Sequence, residues 1–68
     1  MNKKNTKRID IAVLDYTTGC VNIHRDIECS TDAGEAAEHF LTQEYGSLKD
    51  IHWLIVDSGK LEINEYNY

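Results

Sequence analysis

Ile9-Asp-Ile-Ala-Val-Leu-Asp-Tyr16 is rich in β-branched residues and nearly alternating, the signature of a strand. Thr17-Thr18-Gly19 follows, and Cys20-Val-Asn-Ile-His-Arg-Asp-Ile27 alternates again. Two such runs about a glycine-bearing loop make a hairpin. Glycine at the third loop position fits a three-residue loop closed by a left-handed residue. That loop sets Tyr16 opposite Cys20, Val13 opposite Ile23 and Ile9 opposite Ile27, so apolar partners meet on one face.

Working outward, Ser30-Thr31-Asp32 is a helix start, with Asp32 and Glu35 at capping-box spacing and Ser30 or Thr31 as alternative caps. Ala33, Ala36, Ala37, Phe40, Leu41 and Tyr45 follow the helical period, while Glu35, Glu38 and Glu44 take the solvent side. Gly46 is placed to end the helix in a left-handed conformation, with Leu48 folding back on the last turn.

Ile51-His-Trp-Leu-Ile-Val56 reads as a strand buried on both faces. Asp57-Ser58-Gly59 repeats the earlier loop chemistry, and Lys60-Leu-Glu-Ile-Asn-Glu-Tyr66 alternates as a final strand. A three-residue loop pairs Val56 with Lys60 and Ile55 with Leu61; a two-residue Ser-Gly loop instead pairs Val56 with Leu61 and buries the other face. The expected fold is α+β, ordered β-β-α-β-β. Right-handed crossover logic gives a four-stranded antiparallel sheet of order 2-1-3-4 with one helix on one face.

These registers place Ile9, Ile11, Val13, Val21, Ile23, Ile27, Ile51, Trp53, Ile55, Leu61 and Ile63 under the helix. The open face receives Ala12, Leu14, Tyr16, Cys20, His24, His52, Leu54 and Val56. An uncovered apolar patch of this kind marks an interface. The candidate interface is Ala12, Leu14, Tyr16, Leu54 and Val56.

The 68 residues carry a net charge of −5, with 41% hydrophobic and 28% charged residues. That bounds the chain to one small domain with a core. Lys3, Lys4, Lys7 and Arg8 make a basic arm over residues 1–8, ahead of an acidic single domain over 9–68. An acidic body repels phosphates, which argues against nucleic acid as a partner. The apolar run Ile11–Leu14 is too short for a signal or a membrane span, so a cytoplasmic protein with Cys20 and Cys29 as reduced thiols is expected.

Candidate chemistry is sparse. Cys20 and His24 share a strand face but lie ~13 Å apart, too far to chelate one ion. Cys20, His24 and Asp26 have the residue types for nucleophilic catalysis on an exposed strand without a pocket. Asp57-Ser-Gly-Lys60 has the look of a phosphate loop but lacks the upstream glycine and the following helix. No enzyme activity, metal or cofactor is expected.

The Ile9–Tyr16 strand, the helix and Trp53 ahead of the Asp57-Ser-Gly-Lys60 hairpin resemble short uncharacterised bacterial proteins of gut anaerobes and their mobile elements. That resemblance implies no activity. Gly19-Cys20-Val21 and the Ala-rich helix also resemble small antitoxin domains of the HicB type. Those domains have a longer first strand region and usually a separate DNA-binding segment, so no role is carried over.

The expected function is a non-enzymatic protein-interaction module, homodimerising through the open sheet face. The alternatives are an acidic inhibitor or regulator of a larger protein, and a nucleic-acid accessory acting through the basic arm.

Overall fold

A computed structural model describes residues 7–30 and 32–68. Four elements follow in chain order: β1 (Lys7–Asp15), β2 (Cys20–Cys29), α1 (Ala33–Tyr45) and β3 (Ile51–Asp57). The strands form an antiparallel sheet of order β2-β1-β3, with the helix across one face. The α+β class and the central place of β1 are as the pattern predicts. The basic arm falls on residues 1–6, outside the described residues, and on Lys7 and Arg8, which open β1.

The helix forms where its caps lie. Asp32 accepts from the backbone N–H groups of Gly34 (3.1 Å) and Glu35 (3.3 Å), satisfying two donors the first turn would leave orphaned. Thr31, the alternative cap, lies outside the described residues, and Asp32 fills the role. At the other end Gly46 turns to φ +79° and its N–H closes on the Thr42 carbonyl at 2.9 Å. Ala37 and Leu41 are fully buried against Ile9, Ile11, Val13, Cys29 and Ile51. Phe40, Tyr45, Trp53, Ile55 and Leu48 pack around that core.

The first hairpin departs from the expected register. Asp15, not Tyr16, pairs with Cys20, and Val13 pairs with Asn22 rather than Ile23. The Asp15 carboxylate accepts the Thr17 N–H at 3.0 Å, which starts the turn one residue early. The loop therefore holds Tyr16 to Gly19, closed by the Gly19 N–H on the Asp15 carbonyl at 2.8 Å. A one-residue slip turns side chains to the opposite face. Val21 and Ile23 accordingly share the open face with Leu14 and Ala12, and His24 sits with Ile11 on the helix side.

A bulge then restores the register. Between Ile9 and Ile11 the pairing shifts, so Ile9 meets Ile27 as expected. Asp10 stands opposite Arg25 and Asp26, and Asp26 takes the left-handed conformation, φ +63°. Aspartate tolerates that region better than most residues, and here a hydrogen bond fixes it. The Asp26 N–H donates to the Asp10 carboxylate at 2.8 Å.

The same carboxylate decides the C-terminal end of the sheet. Asp10 also accepts from the Gly59 N–H (3.2 Å) and the Arg25 guanidinium (3.2 Å), and it is almost wholly buried. The Ser58 hydroxyl reaches Asp26 at 3.4 Å, beyond β1 from its own strand. The turn after β3 is thus drawn across the sheet toward β2. Its own geometry agrees: the Lys60 N–H bonds the Asp57 carbonyl at 3.0 Å, with Gly59 alone at positive φ, +85°. That is a type II pattern, which splays flanking strands instead of pairing them. Residues 60–68 accordingly have no regular secondary structure, and the expected fourth strand and its three-residue turn are not found.

The Asp26 N–H above all holds the Asp10 carboxyl below the usual aspartate range; burial opposes this, and the Gly59 N–H and Arg25 reinforce it. A folded-state pKa below the unfolded one contributes stability that is present above the unfolded value and is lost as pH falls through the folded value. In Asp10→Asn the amide nitrogen would face the Gly59 and Arg25 donors. The variant is therefore expected to melt below the wild type at neutral pH, with the gap closing below about pH 4. A gap independent of pH in thermal melts would contradict this assignment. Leu41→Ala empties a fully buried site and is expected to lose about 2–5 kcal/mol in urea titrations, against less than about 1 kcal/mol for Leu14→Ala on the open face.

Candidate interaction face

The sheet presents one face to α1 and leaves the other without a helix. On the open face β1 supplies Ala12 and Leu14, and β3 supplies His52, Leu54 and Val56, each paired across the two strands: Ala12 with Leu54, Leu14 with His52, Asp10 with Val56. The alternation within β1 and β3 places these residues as the sequence predicts. Leu14 is 43% exposed and Leu54 58%, while Ala12 and Val56 are half-buried. Tyr16 is exposed just beyond β1, where its hydroxyl meets His52 Nδ1 at 3.2 Å and its ring stands edge-on to the imidazole.

Reading the sequence missed two further members. The shifted hairpin brings Val21 and Ile23 onto this face, with Val21 64% exposed. The only local signal was Asp15 ahead of Thr17, a side chain able to capture its own loop. The C-terminal stretch also lies here. Leu61 to Glu65 line one side of a groove of about 590 Å³ whose other side is Ala12, Val21, Ile23 and Leu54. Leu61 is half-buried and Ile63 exposed, so the stretch shields the face only in part.

His24, expected on the open face, is under the helix. Its Nε2 lies 2.7 Å from the Tyr45 hydroxyl, and the Asn22 side chain donates to the same oxygen at 3.2 Å. The imidazole is also edge-on to Phe40. These contacts let two polar residues occupy a face read as Val21 and Ile23. A buried polar group is tolerated when it finds such a partner.

The residues with chemical potential have other partners or surroundings. Cys20 pairs with Asp15, which puts it on the face of His24 and not on the open face; it is exposed beside the hairpin loop, its thiol 3.9 Å from the Thr18 carbonyl, while His24 is engaged with Tyr45. Asp26 is held in the bulge. Cys29 is buried in the core. The Asp57-Ser-Gly-Lys60 turn, read as a hairpin loop and not a phosphate loop, gives its Gly59 N–H to Asp10. Among the described residues no group of three or more His, Cys, Asp or Glu is placed to hold a metal ion, and no helix is long and apolar enough to cross a membrane.

A second concavity, about 470 Å³, runs between β2 and the helix and is lined by Ile27, Cys29, Ala36, His39 and Phe40 with polar neighbours. It is a seam between two elements, and its polar lining residues, Glu28, Ser30, Glu35, His39 and Gln43, are all exposed. Among the described residues, the open face is where exposed apolar side chains gather, with Leu61 to Glu65 as a partial cover. No family model matches the chain, and neither a curated protein nor a solved structure does.

Proposed function

We propose that this chain is a non-enzymatic protein-interaction module that homodimerises by burying its open sheet face against a second copy. The observation that carries the reading is the exposure of Leu54, Leu14 and Val21 together on the face opposite α1. Monomeric proteins rarely leave contiguous apolar surface of this kind uncovered. Closed two-fold association is the commonest way such a patch is buried.

Physical chemistry supports the choice. A domain of this length buries a modest share of its chain surface, so each additional apolar contact has a large relative effect. Leu14 lies on the central strand between Val21 and His52, and Leu54 on the edge strand beside Ala12, so the exposed apolar side chains span all three strands. Tyr16 and His52 form a polar rim at one end. On this reading the protein is cytoplasmic, its thiols stay reduced, and it needs neither membrane nor cofactor.

The exposed Glu35, Glu38 and Glu44 along the outer side of α1 support a second reading, an acidic surface that engages a basic cleft on a larger protein. The two readings use opposite faces of the domain and separate cleanly. Light scattering behind a sizing column is expected to give twice the monomer mass at high micromolar concentration, and the monomer mass for Leu54→Glu. A wild type that stays monomeric, unchanged by Leu54→Glu, would sink the homodimer.

A further inference from the structure

The two edges of the sheet differ in a way that bears on how a second copy attaches. β2 is blunted: the bulge at Arg25 and Asp26 interrupts its ladder, Asp26 stands at positive φ, and Arg25, Asp26 and Glu28 are exposed along it. Such devices keep an edge from accepting another strand. β3 has no such interruption, and its one carboxylate, Asp57, stands at its end. Ile51 to Val56 carry no formal charge apart from what His52 gains on protonation, and the strand has neither proline nor bulge.

Backbone hydrogen bonds fix which β3 groups look outward. The Ser58 N–H bonds the Arg8 carbonyl, and the Asp50 carbonyl accepts the Tyr16 N–H, both at 3.0 Å. Even-numbered residues along this stretch therefore turn their polar backbone toward β1. Strand alternation leaves Ile51, Trp53, Ile55 and Asp57 facing out. Among the described residues only the Asp57 carbonyl has a partner on that side, the Lys60 N–H. Gly59 and Ser58 lead the chain after β3 away from this edge, toward Asp10 and Asp26.

We infer that β3 pairs antiparallel with β3 of a second copy about a two-fold axis at Leu54, joining two three-stranded sheets into one continuous sheet. The register is dictated by the outward groups. With Leu54 on the axis, Trp53 stands opposite Ile55 of the second copy and Ile51 opposite its Asp57, so outward residues meet outward residues throughout. Registers centred on Trp53 or Ile55 would set Asp57 or Ile51 against a residue outside β3. Side chains agree with the backbone. Half-buried Trp53 and Ile55 would complete each other's burial on the helix side, and the two Leu54 side chains would touch on the open side.

This inference shares with the homodimer reading the second copy but not the surface: attachment is edge to edge, so the open faces lie side by side and only Leu54 of that face meets its counterpart at the axis. Amide hydrogen exchange by NMR tests it on the intact chain. The Trp53 and Ile55 amides are expected to exchange at least about tenfold more slowly at about 1 mM than at about 10 μM, while Leu54 and Val56, bonded to β1, stay protected at both. Ile55→Pro removes an outward N–H and no bond to β1, and is expected to abolish the dimer while the Leu54 amide stays protected. A dimer whose Trp53 and Ile55 amides exchange fast at both concentrations would overturn edge pairing and leave the face reading standing. Protection of those amides in the dilute monomer would also overturn it, because the chain's own residues would then cover the edge. A chain monomeric at both concentrations would overturn both.

Discussion

One buried carboxylate organises this domain. Asp10 sits in the central strand and takes hydrogen bonds from the strand on one side and from the turn that follows the strand on the other. Removing a charged group from water is costly unless its lone pairs are filled, and here two backbone N–H groups and a guanidinium fill them. Because its donors come from residues 26 and 59, Asp10 settles two separate questions. It fixes where β2 bulges, and so which of its side chains face the helix. It also fixes where the chain goes after β3.

The consequences spread outward from that point. The four-residue loop and the bulge offset one another: the first slips the register by one residue and the second slips it back. Between them lies a short length of β2 turned over relative to a plain hairpin. Asn22 and His24 are thereby set under the helix, where the Tyr45 hydroxyl serves both, and Val21 and Ile23 are set outside. A polar pair with a shared partner thus replaces part of the core, and two apolar residues are added to the opposite surface. The composition of the open face therefore follows from hydrogen bonds made at the sheet's other end and beneath the helix.

Which parts of this were legible depends on the range of the interaction responsible. The helix and its limits were readable, since Asp32 and Gly46 act within a turn of the residues they cap. The faces of β1 and β3 were readable too, because their alternation is unbroken from Ile9 to Leu14 and from Ile51 to Val56. The candidate interface residues Ala12, Leu14, Leu54 and Val56 lie on those two strands. Val21, Ile23 and His24 were misplaced because their register depends on Asp15 capturing its own loop and on Asp10 finding Asp26. The second of these joins residues sixteen apart through space. The fourth strand failed for a similar reason. Alternation at Lys60 to Tyr66 shows that the stretch could have two faces, but its direction is set by a contact with Asp10, forty-nine residues away from Gly59.

That last separation also sets the two contacts apart. The hairpin brings Asp10 and Asp26 together by closing a short loop. The Gly59 contact closes a loop that holds nearly the whole domain. Closing a longer loop costs more chain entropy. Of the two backbone bonds that Asp10 accepts, the one from Gly59 is therefore the costlier in chain entropy, and it ties the end of β3 to the central strand.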